Sequence, residues 1–265
     1  GFTKSNQEKF DELLKNPNGI ILLTGPTGSG KSTTLYTMLS ELNKVSENIV
    51  TIEDPIEYQI DGLNQVQVNT KAGLTFANAL RSFLRQDPDI IMVGEIRDNE
   101  TVEVAIRAAI TGHLVLSTLH TNDAVSSISR LEDMEVPSYL IAVALRGVIS
   151  QRLVRRLCSK CSKAYKPSEY ELNYLGLPLD GEYTFYKAVG CPQCNNTGYK
   201  GRTAVHEILL ITNEIRDMIS RRASASEITK YAIENGMSTL KDETIKIISQ
   251  GITSFEEAMD ITYSQ

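Results

Sequence analysis

The stretch Gly25-Pro26-Thr27-Gly28-Ser29-Gly30-Lys31-Ser32 follows the apolar run of residues 19–24 and precedes a helical pattern. It matches the phosphate-binding pattern G-x-x-x-x-G-K-[ST] in the strand–loop–helix context that this pattern requires. Glycines permit the backbone dihedral angles with which the loop and the following helix start surround phosphate with N–H groups. Because the context is correct, a chance match is the weaker interpretation, and the stretch predicts a nucleoside triphosphate site.

The residues of this loop have separate predicted roles. We expect Lys31 to reach the β- and γ-phosphates and Ser32 to ligate Mg²⁺. The predicted nucleotide-binding set is Gly25, Pro26, Thr27, Gly28, Ser29, Gly30, Lys31, Ser32 and Thr33. The Asn-Lys-x-Asp element typical of GTPases is absent from the sequence. The predicted nucleotide is therefore ATP.

Composition limits the class of protein. The 265 residues are 41% hydrophobic and 23% charged, with a formal net charge of -6 and a pI near 5.3. These values indicate a folded domain and do not favour attraction to nucleic acid by overall charge. No apolar run approaches the roughly 18 to 20 residues that span a bilayer, and residues 1–4 do not open a signal peptide. We expect a cytoplasmic protein, and Gly1 in place of Met suggests a processed or cut chain.

Residues 1–157 alternate short apolar runs with amphipathic helical patterns, which predicts an α/β fold with a parallel sheet. The predicted strands cover residues 19–24, 48–53, 90–94 and 113–118, and the predicted helices cover residues 30–43, 75–86 and 100–111. Residues 56–68 have the pattern of a β excursion off this core. From residue 124 to about 157 the pattern predicts helix.

Two further regions follow this core. Residues 158–200 hold all four cysteines and predict a small subdomain, and residues 201–265 predict a mainly helical C-terminal region. Cys158 and Cys161 form one C-x-x-C pair, and Cys191 and Cys194 form a second pair, with 29 residues between the two pairs. This spacing suits tetrahedral, structural Zn²⁺. Redox dithiols and metal-free core cysteines are the alternatives.

Carboxylates follow two of the predicted strands. Glu53 and Glu57 lie in the acidic stretch after the second strand, and Glu95 ends the apolar run of residues 90–94. Active sites of parallel α/β sheets lie at these strand ends, and nucleotide hydrolysis needs a carboxylate that orients or activates water. Glu95 is the first candidate, with Glu53 and Glu57 beside it.

Three motifs in a fixed order, together with the phosphate loop, resemble those of one family. They are Thr51-Ile52-Glu53-Asp54-Pro55-Ile56-Glu57-Tyr58, then Gly94-Glu95-Ile96-Arg97-Asp98, then Gly112-His113-Leu114-Val115-Leu116-Ser117-Thr118-Leu119-His120-Thr121-Asn122. The chain resembles the secretion-superfamily ATPases, the ring-shaped motors of type II secretion and of type IV pilus assembly or retraction. A Walker B strand ending in Gly94-Glu95 in place of Asp is part of this resemblance.

The resemblance implies a RecA-like P-loop ATPase core and assigns roles by position. Glu95 would be the general base, Glu53 and Glu57 the acidic box, and His120 a γ-phosphate sensor. Without it, a buried hydrogen-bonded histidine is the better interpretation of His113 or His120. Motors of this kind also complete their active sites with arginines from an adjacent domain or subunit. Four arginines of this chain are candidates for that role, although a surface ion pair is the better interpretation of any single one. These are Arg81, Arg85, Arg97 and Arg107.

The resemblance also implies partners. The full-length protein would be a homohexamer that drives pilus or pseudopilus assembly through an inner-membrane platform protein, peripheral to the membrane. The four cysteines favour the assembly or secretion branch over the retraction branch. The alternative function is a nucleic-acid translocase of the same superfamily, and a nucleotide-binding regulator without turnover is a third hypothesis. The basic run of residues 152–156 fits a solvated helix face or a subunit interface better than nucleic-acid binding.

Overall fold

The computed structural model describes residues 2–262. The strands of this part, β1 to β9, are Gly19–Thr24, Ile49–Glu53, Asn64–Gln67, Ile90–Val93, Leu114–Leu119, Leu145–Leu157, Lys163–Tyr165, Phe185–Lys187 and Tyr199–Leu210. Its helices, α1 to α11, are Lys4–Leu13, Lys31–Leu42, Phe76–Phe83, Asn99–Ile110, Ser126–Asp133, Ser138–Ala144, Glu169–Leu175, Asn213–Ser220, Ala225–Glu234, Leu240–Ser249 and Phe255–Thr262. None of these helices is long and apolar enough to cross a membrane.

Seven strands form the main sheet in the order β3-β2-β4-β5-β1-β6-β9. All pairs are parallel except β6 with β9. Every residue of β1, β2, β4 and β5 is buried, as expected for Val, Ile and Leu runs covered on both faces. The four predicted core strands and the helices α2, α3 and α4 are therefore confirmed.

Residues 124–157 were expected to be helical, and this prediction is wrong for their second half. Helix α6 ends at Ala144, and β6 occupies Leu145–Leu157. The strand pairs with β1 on one side and β9 on the other, so tertiary pairing outweighs the local helical pattern. Gly147 also permits close packing, because a Cβ there would lie 2.5 Å from Cδ2 of Leu13.

One other expectation needs correction. The segment 56–68 was predicted to leave the core, but β3 pairs in parallel with β2 as the edge strand of the main sheet. The region 201–265 begins with most of β9, which pairs along β6, and its helices α8 to α11 follow from Asn213. The division into 1–157, 158–200 and 201–265 remains a prediction, and the main sheet extends across its boundary at residue 200.

The cysteine region contains its own small sheet, in which β7 pairs antiparallel with β8. Helix α7 packs beside it and begins with a capping box between Ser168 and Glu171. Leu172, Leu175 and Phe185 of this region share a buried apolar cluster with residues of α10 and α11. The cysteine region and the C-terminal helices therefore share one core.

Candidate functional site

The phosphate loop connects the buried strand β1 to helix α2. Gly25, Gly28 and Gly30 have φ values of 141°, 80° and 87°, a region that favours glycine. A Cβ at Gly25 would lie 2.3 Å from the carbonyl oxygen of Gln151, and the buried Oγ of Ser29 has no hydrogen-bond partner. Local geometry thus requires glycine at position 25, and it leaves a polar group inside the loop unsatisfied.

Lys31 lies folded back on this loop. Its Nζ donates to the carbonyl oxygens of Gly25 and Pro26, at 2.8 and 3.0 Å. Burial lowers the pKa of the ammonium group below its ordinary value, the carboxylate of Glu95 raises it, and Arg152 lowers it. The lysine charge is therefore partly desolvated next to a carboxylate.

Glu95 follows β4 at the carboxyl edge of the sheet. The backbone before it is fixed because the N–H of Gly94 donates to Ile52 O at 2.8 Å and Thr118 Oγ1 donates to Gly94 O at 2.7 Å. The Glu95 side chain is 14% exposed, forms an ion pair with Arg97 and lies 3.7 Å from Nε2 of His120. These contacts join two of the predicted motifs at one carboxylate.

The two glutamates of the acidic box have different surroundings. Glu53 is buried and accepts hydrogen bonds from three side chains: Tyr36, Thr51 at 2.6 Å and Gln65 at 3.1 Å. Glu57 is exposed, and its backbone N–H donates to the Tyr36 hydroxyl at 3.1 Å. Tyr36 thus connects both glutamates to the helix of the phosphate loop.

A cleft of about 610 Å³ collects these groups, a volume within the range of small-molecule sites. Its lining includes Lys31, Glu53, Glu57, Glu95 and His120, together with the loop from Thr27 to Thr33. The structure therefore brings together the predicted catalytic residues and most of the predicted nucleotide-binding set. We call this space the nucleotide cleft.

His113 lies away from the nucleotide cleft. It stands before β5 at the opposite end from His120, and its Nδ1 lies 3.0 Å from the carbonyl oxygen of Ala108. The candidate arginines also differ. Arg81 pairs with Glu100 at 2.8 Å and Arg107 with Glu103 at 2.5 Å, so both form surface ion pairs, whereas Arg97 contacts Glu95.

Tyr36 and Gln151 were not among the predicted site residues. Buried Gln151 donates from Nε2 to Ser29 O at 2.7 Å and accepts from Thr34 at 2.7 Å, which connects both the phosphate loop and helix α2 to β6. Neither residue belongs to a sequence motif, because each contacts residues that are distant in the sequence and come close only in the folded sheet. The β1–β6 pairing that places Gln151 was hidden by the incorrect helix prediction.

The basic run of residues 152–156 is a strand, so its interpretation as a helix face is wrong. Arg152 is buried. Arg155 donates to Glu257 at 2.7 and 2.9 Å and lies over the ring of Tyr199. Arg156 is exposed. The fold therefore separates these three charges and forms no continuous basic surface from them.

The four cysteines meet in one cluster whose Sγ atoms all lie within 4.8 Å of one another. Three of the Sγ–Sγ distances are 3.9, 3.8 and 3.7 Å. Four sulfurs around zinc at about 2.3 Å have S–S edges of roughly 3.8 Å. Burial raises the pKa of Cys194, but N–H groups of Cys191 and Gly198 and the other thiols outweigh it and lower the pKa to about 6. The cluster fits a tetrahedral metal ion.

A family model described as Type II/IV secretion system protein matches residues 1–260. The chain belongs to this family.

Two relatives show the range of the type II/IV secretion system family. The type IV pilus assembly ATPase PilB of Thermus thermophilus is 52% identical over 262 residues, covering 98% of this chain and 29% of that protein. The type II secretion system ATPase E of Vibrio cholerae is 48% identical over 262 residues, covering 99% of this chain and 52% of that protein. The chain spans about half or less of these relatives.

Two solved structures share this fold over nearly the whole of this chain. The pilus retraction motor PilT with bound ADP is 34% identical, with a TM-score of 0.72, covering 98% of this chain and 67% of that one. The ATPase DotB of Legionella pneumophila is 26% identical, with a TM-score of 0.70, covering 97% and 63%. Together with the sheet order, these similarities confirm the predicted RecA-like α/β ATPase fold with its four-cysteine region.

Proposed function

We propose that this chain binds ATP with Mg²⁺ in the nucleotide cleft and hydrolyses the bond between the β- and γ-phosphates. The position of Glu95 supports this most directly. Its carboxylate follows a buried strand, is 14% exposed and lines the same cleft as Lys31 and His120. A carboxylate held beside a phosphate-binding loop can orient water for attack on the γ-phosphate and accept its proton.

The other residues bind and orient the nucleotide. N–H groups of residues 25–33 surround the phosphates, and Lys31 exchanges its carbonyl partners on the loop for phosphate oxygens. Ser32 holds Mg²⁺, which neutralises phosphate charge when bound. His120 contacts the γ-phosphate, and its approach to Glu95 connects that contact to the water-orienting carboxylate. Glu53, fixed by three donors, keeps Glu57 and the acidic box in place through Tyr36.

The mechanical output is proposed from the relatives. Within its full-length protein the chain would form a homohexameric, cytoplasmic ring at the inner membrane, peripheral to it. The ring would transmit ATP-driven closure to a platform protein that assembles a type IV pilus or a type II pseudopilus. The names of the relatives in Thermus and Vibrio support these two pathways. In addition, the cysteine cluster would hold structural Zn²⁺.

The test compares ATP binding and turnover of the 265-residue chain with those of two variants. Glu95→Gln should bind ATP with little change in affinity and lose hydrolysis by at least about 100-fold. Glu103→Gln, an exposed change of the same charge on α4, should keep both properties. Wild-type turnover in Glu95→Gln would contradict the proposed role, and stimulation of turnover by single-stranded DNA would favour the nucleic-acid translocase.

A further inference from the structure

Arg152 is a buried cation next to the phosphate loop. It lies on β6 two residues after Ser150, which pairs with Thr24 at the end of β1. Its exposed fraction is 9%. Its Nη2 lies 3.3 Å from Oδ1 and 3.5 Å from the carbonyl oxygen of Asn122, and its buried Nε has no hydrogen-bond partner. Among the described residues, the guanidinium thus makes only long, neutral hydrogen bonds, all with Asn122.

Among the side chains that the structure describes, no carboxylate forms an ion pair with Arg152, in contrast to Arg81, Arg97, Arg107, Arg155 and Arg221. Arginine is rarely buried without an anion, because desolvation of the charge is costly unless it is paired. The other cation it influences is Lys31, whose pKa it lowers. The charges of Arg152 and Lys31 are therefore close enough to interact, and Glu95 supplies opposite charge to Lys31.

We propose that Arg152 is an anion-binding residue of the nucleotide site, whose guanidinium pairs with the triphosphate when nucleotide binds. The inference rests on the proposed function, since it names a residue of the same site. Asn122 follows His120 by two residues, and Thr121 between them donates its N–H to Thr24 Oγ1 at 2.8 Å. Movement of Arg152 from Asn122 to phosphate would therefore also alter the loop that carries the γ-phosphate contact.

The binding test uses Mg²⁺ with a non-hydrolysable ATP analogue and two variants of the same strand. Arg152→Gln should weaken binding roughly 10- to 100-fold, because a hydrogen-bonded charge pair is lost. Arg156→Gln removes the same charge from an exposed position and should change binding less than about twofold. Arg152→Lys keeps a charge without the guanidinium and should bind more tightly than Arg152→Gln.

Thermal unfolding without nucleotide separates a binding role from a structural one. Arg152→Gln removes an uncompensated buried charge, so its Tm should equal or exceed that of the wild type, while its Tm should rise less on addition of the analogue. A reduced Tm without nucleotide, or wild-type affinity for the analogue, would overturn the inference. If Lys31→Ala loses binding and Arg152→Gln does not, only this inference fails; if the wild type does not bind, the proposed function fails with it.

Discussion

Glu53 and Glu57 differ in what surrounds their carboxylates, although only three residues lie between them. Thr51 and Gln65 donate to Oε1 of Glu53, and Tyr36 donates to Oε2. An amide in place of this carboxylate turns one acceptor into a donor that faces another donor. Glu53→Gln should therefore lower the free energy of unfolding by about 1 to 3 kcal/mol. The exposed change Glu57→Gln should stay within about 0.5 kcal/mol. Urea denaturation of both variants checks this, and equal losses would contradict it.

His206 gives the chain a pH-dependent stability. It is buried against Phe2, with ring centroids 4.0 Å apart, and burial lowers its pKa below the ordinary value of 6.5. Below pH 6.5 the unfolded chain therefore binds a proton that the folded chain does not. The contribution of neutral His206 to the free energy of unfolding is thus complete above that pH and is lost on acidification.

The prediction compares the wild type with His206→Phe. For each pH unit below 6.5, the free energy of unfolding of the wild type should fall by about 1.4 kcal/mol relative to that of His206→Phe. Above pH 7.5 the difference should be constant. Urea denaturation at pH 7.5, 6 and 5 measures it. Parallel pH profiles for the two proteins would show that His206 titrates normally in the folded chain.

Among structural elements, the phosphate loop has two glycines with different surroundings. A Cβ at Gly25 meets a backbone oxygen at 2.3 Å, whereas a Cβ at Gly28 meets nothing within 4 Å. Gly28→Ala should cost only the strain of a positive φ, about 1 to 2 kcal/mol. Gly25→Ala adds a steric clash with β6 and should cost at least about 2 kcal/mol more. Denaturation midpoints of the two variants test the order, and equal costs would contradict it.

Elements that bury both faces were predictable from sequence, because their apolar runs have a length and flanking glycines that fit a strand. Strand β1 belongs to this class, and the start of α2 was predictable from the phosphate-loop pattern. The strand β6 does not, since Leu145–Leu157 alternates Gly, Arg and Gln with apolar residues and follows a true helix. Its strand conformation depends on β1 and on β9, which lies about 50 residues away. Gln151 and Arg152 were missed for the same reason.

At the scale of the molecule, the cysteine cluster and the C-terminal helices should unfold together, because they share the apolar cluster around Phe185 and Phe255. Metal analysis should give about one zinc per chain. Its removal by a chelator, or the variant Cys194→Ser, should lower Tm and expose the amides of α10 and α11 to hydrogen exchange. Ser159→Ala, an exposed change between Cys158 and Cys161, should have no such effect. Unchanged protection of these helices without metal would contradict the shared unfolding.

The site was more predictable than the molecule around it. Lys31, Glu95 and His120 come from motifs with fixed spacing, and parallel strands bring their carboxyl ends together in any sheet of this order. The positions of the arginine charges in the fold could not be predicted from sequence motifs. Residues 152–156 form one basic run in the sequence, but strand alternation and the partner Glu257 give each arginine a different environment.

Strand β6 extends from the phosphate loop to the cysteine cluster. Gln151 supports the loop, and Cys158 follows the last residue of the strand. These two residues are about 23 Å apart at the usual rise of an extended chain. Strand β9 pairs with β6 over this length, with one irregularity between Arg155 and Leu157, so the two strands form a paired ribbon. A tilt of about 5° at the loop would displace the far end of the ribbon by roughly 2 Å, so any tilt of β6 at the phosphate loop would produce a larger displacement at the cysteine region.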